Sequence, residues 1–205
     1  MSDLIDAVQA EARADFASAA GHYLRLTESG TPLDRIGIYQ ALARCYEKLG
    51  HLAEAGAWRR RAGKAYLELP DDAMAKDERQ YLALVEYRNA VQNLAGDPAL
   101  ADVAGEYKAV LAENWKGGPE GLTHEGLFGG VFLMGLGDYV NAARYLFDSA
   151  EAISEQATEA RDASLRETAR RGYELAQEAA TKAGNMQIAQ VAKVRAFDLA
   201  QPPPR

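Results

Sequence analysis

One six-residue pattern constrains this chain more than any other feature: glycine, any residue, a large apolar residue, two more residues, alanine. It stands as Gly50-His51-Leu52-Ala53-Glu54-Ala55, as Gly137-Asp138-Tyr139-Val140-Asn141-Ala142 and as Gly184-Asn185-Met186-Gln187-Ile188-Ala189. In Gly96-Asp97-Pro98-Ala99-Leu100-Ala101 the apolar residue is displaced, and in Ala14-Asp15-Phe16-Ala17-Ser18-Ala19 alanine replaces the glycine. Successive copies lie 36 to 47 residues apart. Self-similarity at such a period is the mark of a repeat architecture, here an array of helical hairpins.

Each copy reads as a corner between two helices. The glycine falls where a helix must end, because the residue past the end usually takes a left-handed backbone. The next residue is Asp15, Asp97, Asp138 or Asn185 in four copies, and Asp or Asn there accepts the free amide protons of the following helix. Pro98 sits at an expected first helical position, where its missing N–H is harmless. The helices expected are 2–13 and 15–29, 33–49 and 52–68, 72–95 and 98–115, 122–136 and 139–156, and 158–183 and 186–200. Apolar residues recur at helical rather than strand period, as in Ile36, Tyr39, Leu42, Ala43, Tyr46 and in Tyr139, Ala142, Ala143, Leu146, Ala150. Breaks between hairpins fall at Ser29–Pro32, Leu69–Asp72 and Trp115–Gly121.

Composition narrows the function classes. With 48% hydrophobic and 26% charged residues the chain is of globular type. A formal net charge of −7 argues against a general nucleic-acid role, which depends on neutralising phosphates. It also disfavours anionic lipid. No apolar run reaches the ~18 residues of a membrane span, and the start, Met1-Ser2-Asp3-Leu4-Ile5-Asp6, lacks signal-peptide order. A cytoplasmic location without membrane insertion is therefore expected. The single cysteine, Cys45, offers neither an internal disulfide nor a metal cluster and reads as a small core residue.

Several motifs bear on chemistry. Thr123-His124-Glu125 lacks the second histidine that a helical zinc site needs, since position 128 is Phe. There is no Gly-x-Ser-x-Gly and no phosphate-binding Gly-x-x-x-x-Gly-Lys-Ser/Thr. No catalytic residue, metal site or cofactor is expected, and the chain is read as a non-enzyme. Gly117, Gly118, Gly121, Gly126, Gly129, Gly130, Gly135 and Gly137 crowd one segment. Glycine inside a helix costs about 1 kcal/mol against alanine, so close helix packing or a bound ligand must offset it. Arg59-Arg60-Arg61 with Lys64 is expected to form a solvated outer surface, and Trp58 and Trp115 to be structural anchors. The acidic residues Glu151, Glu155, Glu159 and Asp162 are expected to form a wet stripe.

On these residues the chain resembles the tetratricopeptide-repeat family. The best copy, from about Ile36 to Leu69, shows Tyr39, Leu42, Ala43, Tyr46, Gly50, Leu52, Ala55 and Ala62 at the signature spacing, with Pro70 slightly late. The copy at Gly137 keeps Gly130, Gly137, Tyr139 and Ala142, and that at Gly184 keeps Tyr173, Gly184, Ala189 and Ala196. The copy at Gly96 departs, with Arg88 and Asn89 in place of Leu and a small residue. One hairpin, Ala43–Lys48 with Ala55–Trp58, is also similar to repeat units of SNAP-type adaptors.

The resemblance implies an all-α, right-handed α-solenoid of about five antiparallel hairpins, one domain over residues 1–200 followed by a Pro-rich disordered tail at 201–205. It implies protein–protein interaction, as a scaffold or adaptor, through a concave groove lined by the first helix of each hairpin. Mapped onto this chain, the partner-binding residues are Gln40, Arg44 and Glu47 in the second hairpin and His124, Leu127, Val131 and Met134 in the fourth. A protein, peptide or helix partner is expected there. A second copy of the chain is a further candidate, because the Ala-rich last helix lacks a polar outer face, whereas Ser2, Asp3 and Asp6 suggest a capped start. The alternative is a sensing domain that holds a small molecule or peptide near the glycine-rich helix at 121–137. An enzyme on this frame ranks last.

Overall fold

The computed structural model describes residues 2–114 and 123–201, with side chains for 3–113 and 125–201. These residues form ten helices and, among them, no strand. They are α1 Ser2–Ala12, α2 Phe16–Arg25, α3 Pro32–Leu49, α4 Leu52–Leu67, α5 Lys76–Asn93, α6 Leu100–Asn114, α7 Thr123–Gly135, α8 Tyr139–Ala160, α9 Ala163–Lys182 and α10 Met186–Ala200. The chain divides into two compact units, Met1–Glu113 and Asn114–Arg205. The expected break at Trp115–Gly121, the Trp115 anchor, the side chain of His124 and the tail from 202 onward lie outside the described residues.

All five corners of the sequence pattern carry a left-handed residue: Ala14 at φ 58°, Gly50 at 77°, Gly96 at 85°, Gly137 at 77° and Gly184 at 75°. Four of them close the helix in the same way. At Gly50 the glycine N–H donates to the Glu47 carbonyl at 3.1 Å and the His51 N–H reaches back to Tyr46 at 2.9 Å. The same pair of bonds recurs at Ala14, Gly137 and Gly184, satisfying carbonyls that the last helical turn would otherwise leave open. The expected caps form as well. Asp15 accepts from the Ser18 N–H, Asp138 from that of Asn141 and Asn185 from that of Ile188. Links of two or three residues between packed helices make antiparallel hairpins.

Helix α2 ends at Arg25 rather than at the expected 29, with a turn over 26–28, and three further boundaries differ from expectation. Pro98 lies in a turn and α6 starts at Leu100, because Asp97 caps the Ala99 N–H at 2.8 Å and tightens the corner ahead of the helix. Residues 70–74 form a turn closed by bonds to the Pro70 carbonyl, so α5 starts at Lys76. Helix α8 runs on to Ala160, and its reversal is the Arg161-Asp162 pair, with Arg161 at φ 53° and Asp162 accepting from Ser164 and Leu165.

Small residues let the helices pack closely. In the first unit Ala7, Ala10, Ala19, Ala20, Tyr23, Ile38, Ala41, Leu42 and Cys45 form one buried cluster. Farther along, a Cβ on Gly63 would stand 3.2 Å from the Tyr87 ring, so α4 and α5 approach to the limit there. In the second unit a Cβ on Gly130 would fall inside the Leu146 side chain, 2.8 Å from its Cδ2 and 3.3 Å from the Ala142 carbonyl. Gly172 likewise faces Ala150 at 2.9 Å and Leu127 at 3.0 Å. Close packing thus accounts for the glycines at 130 and 172, and burial of side chains such as Leu146 at ~2 kcal/mol each offsets their helix penalty.

Candidate functional site

In the first unit the sequence-predicted residues Gln40, Arg44 and Glu47 lie along α3 and all engage other helices. Gln40 donates to Glu86 Oε1 of α5 at 2.7 Å and to the Tyr66 hydroxyl of α4 at 3.2 Å. Glu47 accepts from Arg59 Nε of α4 at 3.1 Å, from Arg59 Nη2 at 3.3 Å and from Asn93 Nδ2 of α5 at 2.8 Å. Arg59 also donates to Glu86 Oε2 at 3.1 Å. Glu86 is 4% exposed, so its charge is tolerated only because a guanidinium and an amide face it. Burial alone would raise the Glu47 carboxyl, but the bonds from Arg59 and Asn93 and the charge of Arg59 outweigh it and hold Glu47 below the usual carboxylate range. Arg44 is half exposed and pairs with Glu11 of α1 at 3.4 Å. The Tyr23 hydroxyl donates to the same Glu11 at 2.9 Å, and burial with that carboxylate pushes Tyr23 up to about 12.

The basic cluster is a solvated surface only in part: Arg61 and Lys64 are exposed, whereas Arg59 and Arg60 are partly buried. Consecutive residues point about 100° apart on a helix, so the four cations meet different surroundings. Arg59 turns inward to Glu47 and Glu86. Arg60 binds Glu106 of α6 through two nitrogens, at 2.9 and 2.7 Å, with Lys64 on the same carboxylate at 3.0 Å. Arg61 lies 4.2 Å from the centroid of the Trp58 ring, which packs beside Tyr39 at 5.6 Å as an anchor. Glu86 was missed from sequence, and Arg59 was expected in solvent rather than on Glu47 and Glu86. The available signal was a glutamate inside the apolar stripe of Ala83, Leu84, Tyr87 and Ala90.

Other titratable groups are structural. Burial pushes the Cys45 thiol up to about 11, so the nucleophilic thiolate is scarce at neutral pH. Asp3, Asp6 and His22 bring one ligating atom each within 4.8 Å of one another. Arg25 already supplies a cation there, with Nη2 2.8 Å from Asp3 and 2.6 Å from His22 Nδ1. The expected acidic stripe is exposed in part, while Asp162 caps α9 and Glu151 pairs with Arg195 of α10 at 3.6 Å.

In the second unit Leu127, Val131 and Met134 share one face of α7, at helical spacings of four and three. Phe128, which sequence reasoning passed over, points about 100° round the helix from Leu127 and lies next to Val131. Phe128 is 54% and Val131 48% exposed, while Leu127 and Met134 are half-buried. Leu127 reaches α9 at Gly172, so α9 borders the strip. Along α9 runs a ladder of ion pairs: Arg171 to Glu167 at 3.0 Å, Arg170 to Glu167 at 2.7 Å and to Glu174, and Lys182 to Glu178 at 2.8 Å. The six side chains of that ladder carry three charges of each sign. His124 belongs to the backbone of α7, and its side chain lies outside the described residues.

A scan against protein-family models gives no match, and neither does a search of curated proteins. Among solved structures, BtubC (BKLC) from P. vanneervenii is similar, with a TM-score of 0.53 and 16% sequence identity, over 97% of this chain and 81% of that one. At that identity the likeness speaks for the fold alone: this chain shares an all-helical architecture with a protein of known structure.

Proposed function

We propose that the chain is a non-enzymatic interaction module, a tetratricopeptide-like right-handed α-solenoid that binds an amphipathic helix of a partner protein along α7. One observation carries this reading. Helix α7 leaves Val131 48% exposed beside half-buried Leu127 and Met134, with Phe128 54% exposed next to Val131, an apolar strip of the kind that takes the apolar face of a docked helix. Covering the exposed half of each of the two side chains would recover about 1 kcal/mol apiece. In the first unit, considered by itself, Gln40 and Glu47 tie α3 to α4 and α5, and half-exposed Arg44, paired with Glu11, remains the candidate contact of that hairpin.

A selection from a displayed library of 20-residue peptides tests the reading. Enriched peptides are expected to carry large apolar residues at i, i+3 or i+4, and i+7. Their binding should fall at least tenfold in Phe128→Asp/Val131→Asp, whose circular dichroism and melting stay those of the parent. Enrichment of extended or carboxyl-terminal motifs, or binding indifferent to the double substitution, would refute it.

A further inference from the structure

One seam of the first unit gathers cations that no carboxylate answers. Helices α3 and α4 leave an open cleft of about 380 Å³ along one side of their contact. From α3 the cleft takes Pro32, Arg35 and Tyr39, and from α4 it takes Arg61, Lys64 and Glu68. Both sets follow a spacing of three and then four residues, so each occupies one face of its helix.

The charges lining this cleft do not balance. Among the described residues the Arg35 guanidinium has no hydrogen bond or ion pair, and neither has the Glu68 carboxylate. Arg61 lies over the Trp58 ring, 4.2 Å from its centroid, and meets no oxygen acceptor. The ring holds the guanidinium in place and leaves its N–H donors unclaimed by any oxygen. Trp58 packs in turn beside Tyr39 at 5.6 Å, which ties Arg61 to the wall of the same cleft. Lys64 reaches Glu106 at 3.0 Å, but Arg60 already matches that carboxylate through two nitrogens. Three cations thus line the cleft against one carboxylate, in a chain whose formal net charge is −7. Gathering like charges on adjacent turns is unfavourable until an anion joins them.

We propose that this cleft binds a phosphomonoester of a neutral, hydroxylated alcohol. The surplus of two positive charges matches the dianion that such an ester approaches at neutral pH. Guanidiniums suit phosphate oxygens, which they take two at a time through parallel N–H bonds. Glu68 repels a second anionic group and accepts from a hydroxyl, so the rest of the ligand is uncharged and polar. The site lies wholly within the first unit and stands apart from the reading of α7. A second cleft is bordered by Arg60, Arg61 and Lys64 but not by Arg35, and is the competing place for an anion.

Calorimetric titration of the full chain with glycerol phosphate at about 0.15 M salt tests it. Saturable one-site binding is expected, and Arg35→Gln and Arg61→Gln should each weaken it about fivefold or more. Arg144→Gln, on α8 and outside the cleft, should leave it unchanged. Succinate, which spreads two charges over two groups, should bind about fivefold more weakly than the ester. The side-chain Nε–H resonances of the unmodified chain give a readout free of substitutions: those of Arg35 and Arg61 should shift together along the binding curve. No saturable binding up to about 10 mM, an equal loss in Arg144→Gln, or succinate as tight as the ester would overturn the proposal. Unaltered binding in Arg35→Gln would also overturn it, by placing the anion in the second cleft.

Discussion

Replacing Arg59 by methionine tests the polar network of the first unit most directly. The substitution keeps much of the side-chain length and removes three hydrogen bonds, two to Glu47 and one to Glu86. The Glu86 side chain is 5% exposed and that of Glu47 31%, so one carboxylate is stranded in the interior and the other at its edge. Breaking one partner out of a buried ion pair costs about 3–5 kcal/mol. Gln40 still donates to Glu86 and Asn93 to Glu47, which places the expected loss near the lower end, about 3 kcal/mol. With a urea slope of about 2 kcal/mol per M, the midpoint should fall by about 1.5 M. Fluorescence of Trp58, one residue away, reports this unit once the other tryptophan is removed by Trp115→Phe. The pH dependence adds a sign. Glu47 titrates below its unfolded value, so it stabilises the fold above that value and the contribution is lost as pH falls through the lowered one. The gap between parent and variant should therefore narrow between about pH 5 and pH 3. Adding Glu86→Gln should recover about half of the loss by removing the stranded charge. A midpoint shift under about 0.5 M at pH 7, or a gap unchanged by acid, would refute the reasoning.

Two smaller substitutions probe the packing and the corners. Gly130→Ala should destabilise by about 1–2 kcal/mol, since overpacking against fully buried Leu146 exceeds the gain in helix propensity. Gly135→Ala, with nothing within 4 Å, should stabilise by up to about 1 kcal/mol; paired urea melts that show the same sign for both would sink the packing argument. Ala14→Gly relieves a left-handed alanine at φ 58° and should stabilise by about 0.5–1 kcal/mol after the unfolded-state entropy of glycine is set against it. A fall in the urea midpoint would show that the corner carries no strain.

What was legible in the sequence was what local backbone chemistry decides. Glycine followed by Asp or Asn sets a left-handed stop and a capped start within two residues, so corners at 96, 137 and 184 could be placed; at 50 the glycine alone marked the stop, since His51 makes no cap bond, and Asp15 revealed the corner at Ala14 despite its alanine. The Arg161-Asp162 reversal escaped because an arginine occupies the left-handed position and only the capping half of the signal is present. The network around Arg59 escaped for another reason. Its bonds join residues 27 and 46 apart, as Arg59 to Glu86 and Gln40 to Glu86, and nothing local distinguishes a glutamate that meets a buried guanidinium from one that meets water. Helical period assigns Glu86 to the core face, yet residue type assigns it to the surface, and that conflict was itself the clue. The α7 strip was partly legible for the converse reason. Leu127, Val131 and Met134 follow helical period, but period alone cannot separate a face that packs on a neighbour from one that waits for a partner. Leu127 packs at Gly172 while Val131 stays in solvent, on the same face and four residues apart. The boundary between core and binding surface therefore falls within one turn of α7, where the position of α9 draws it.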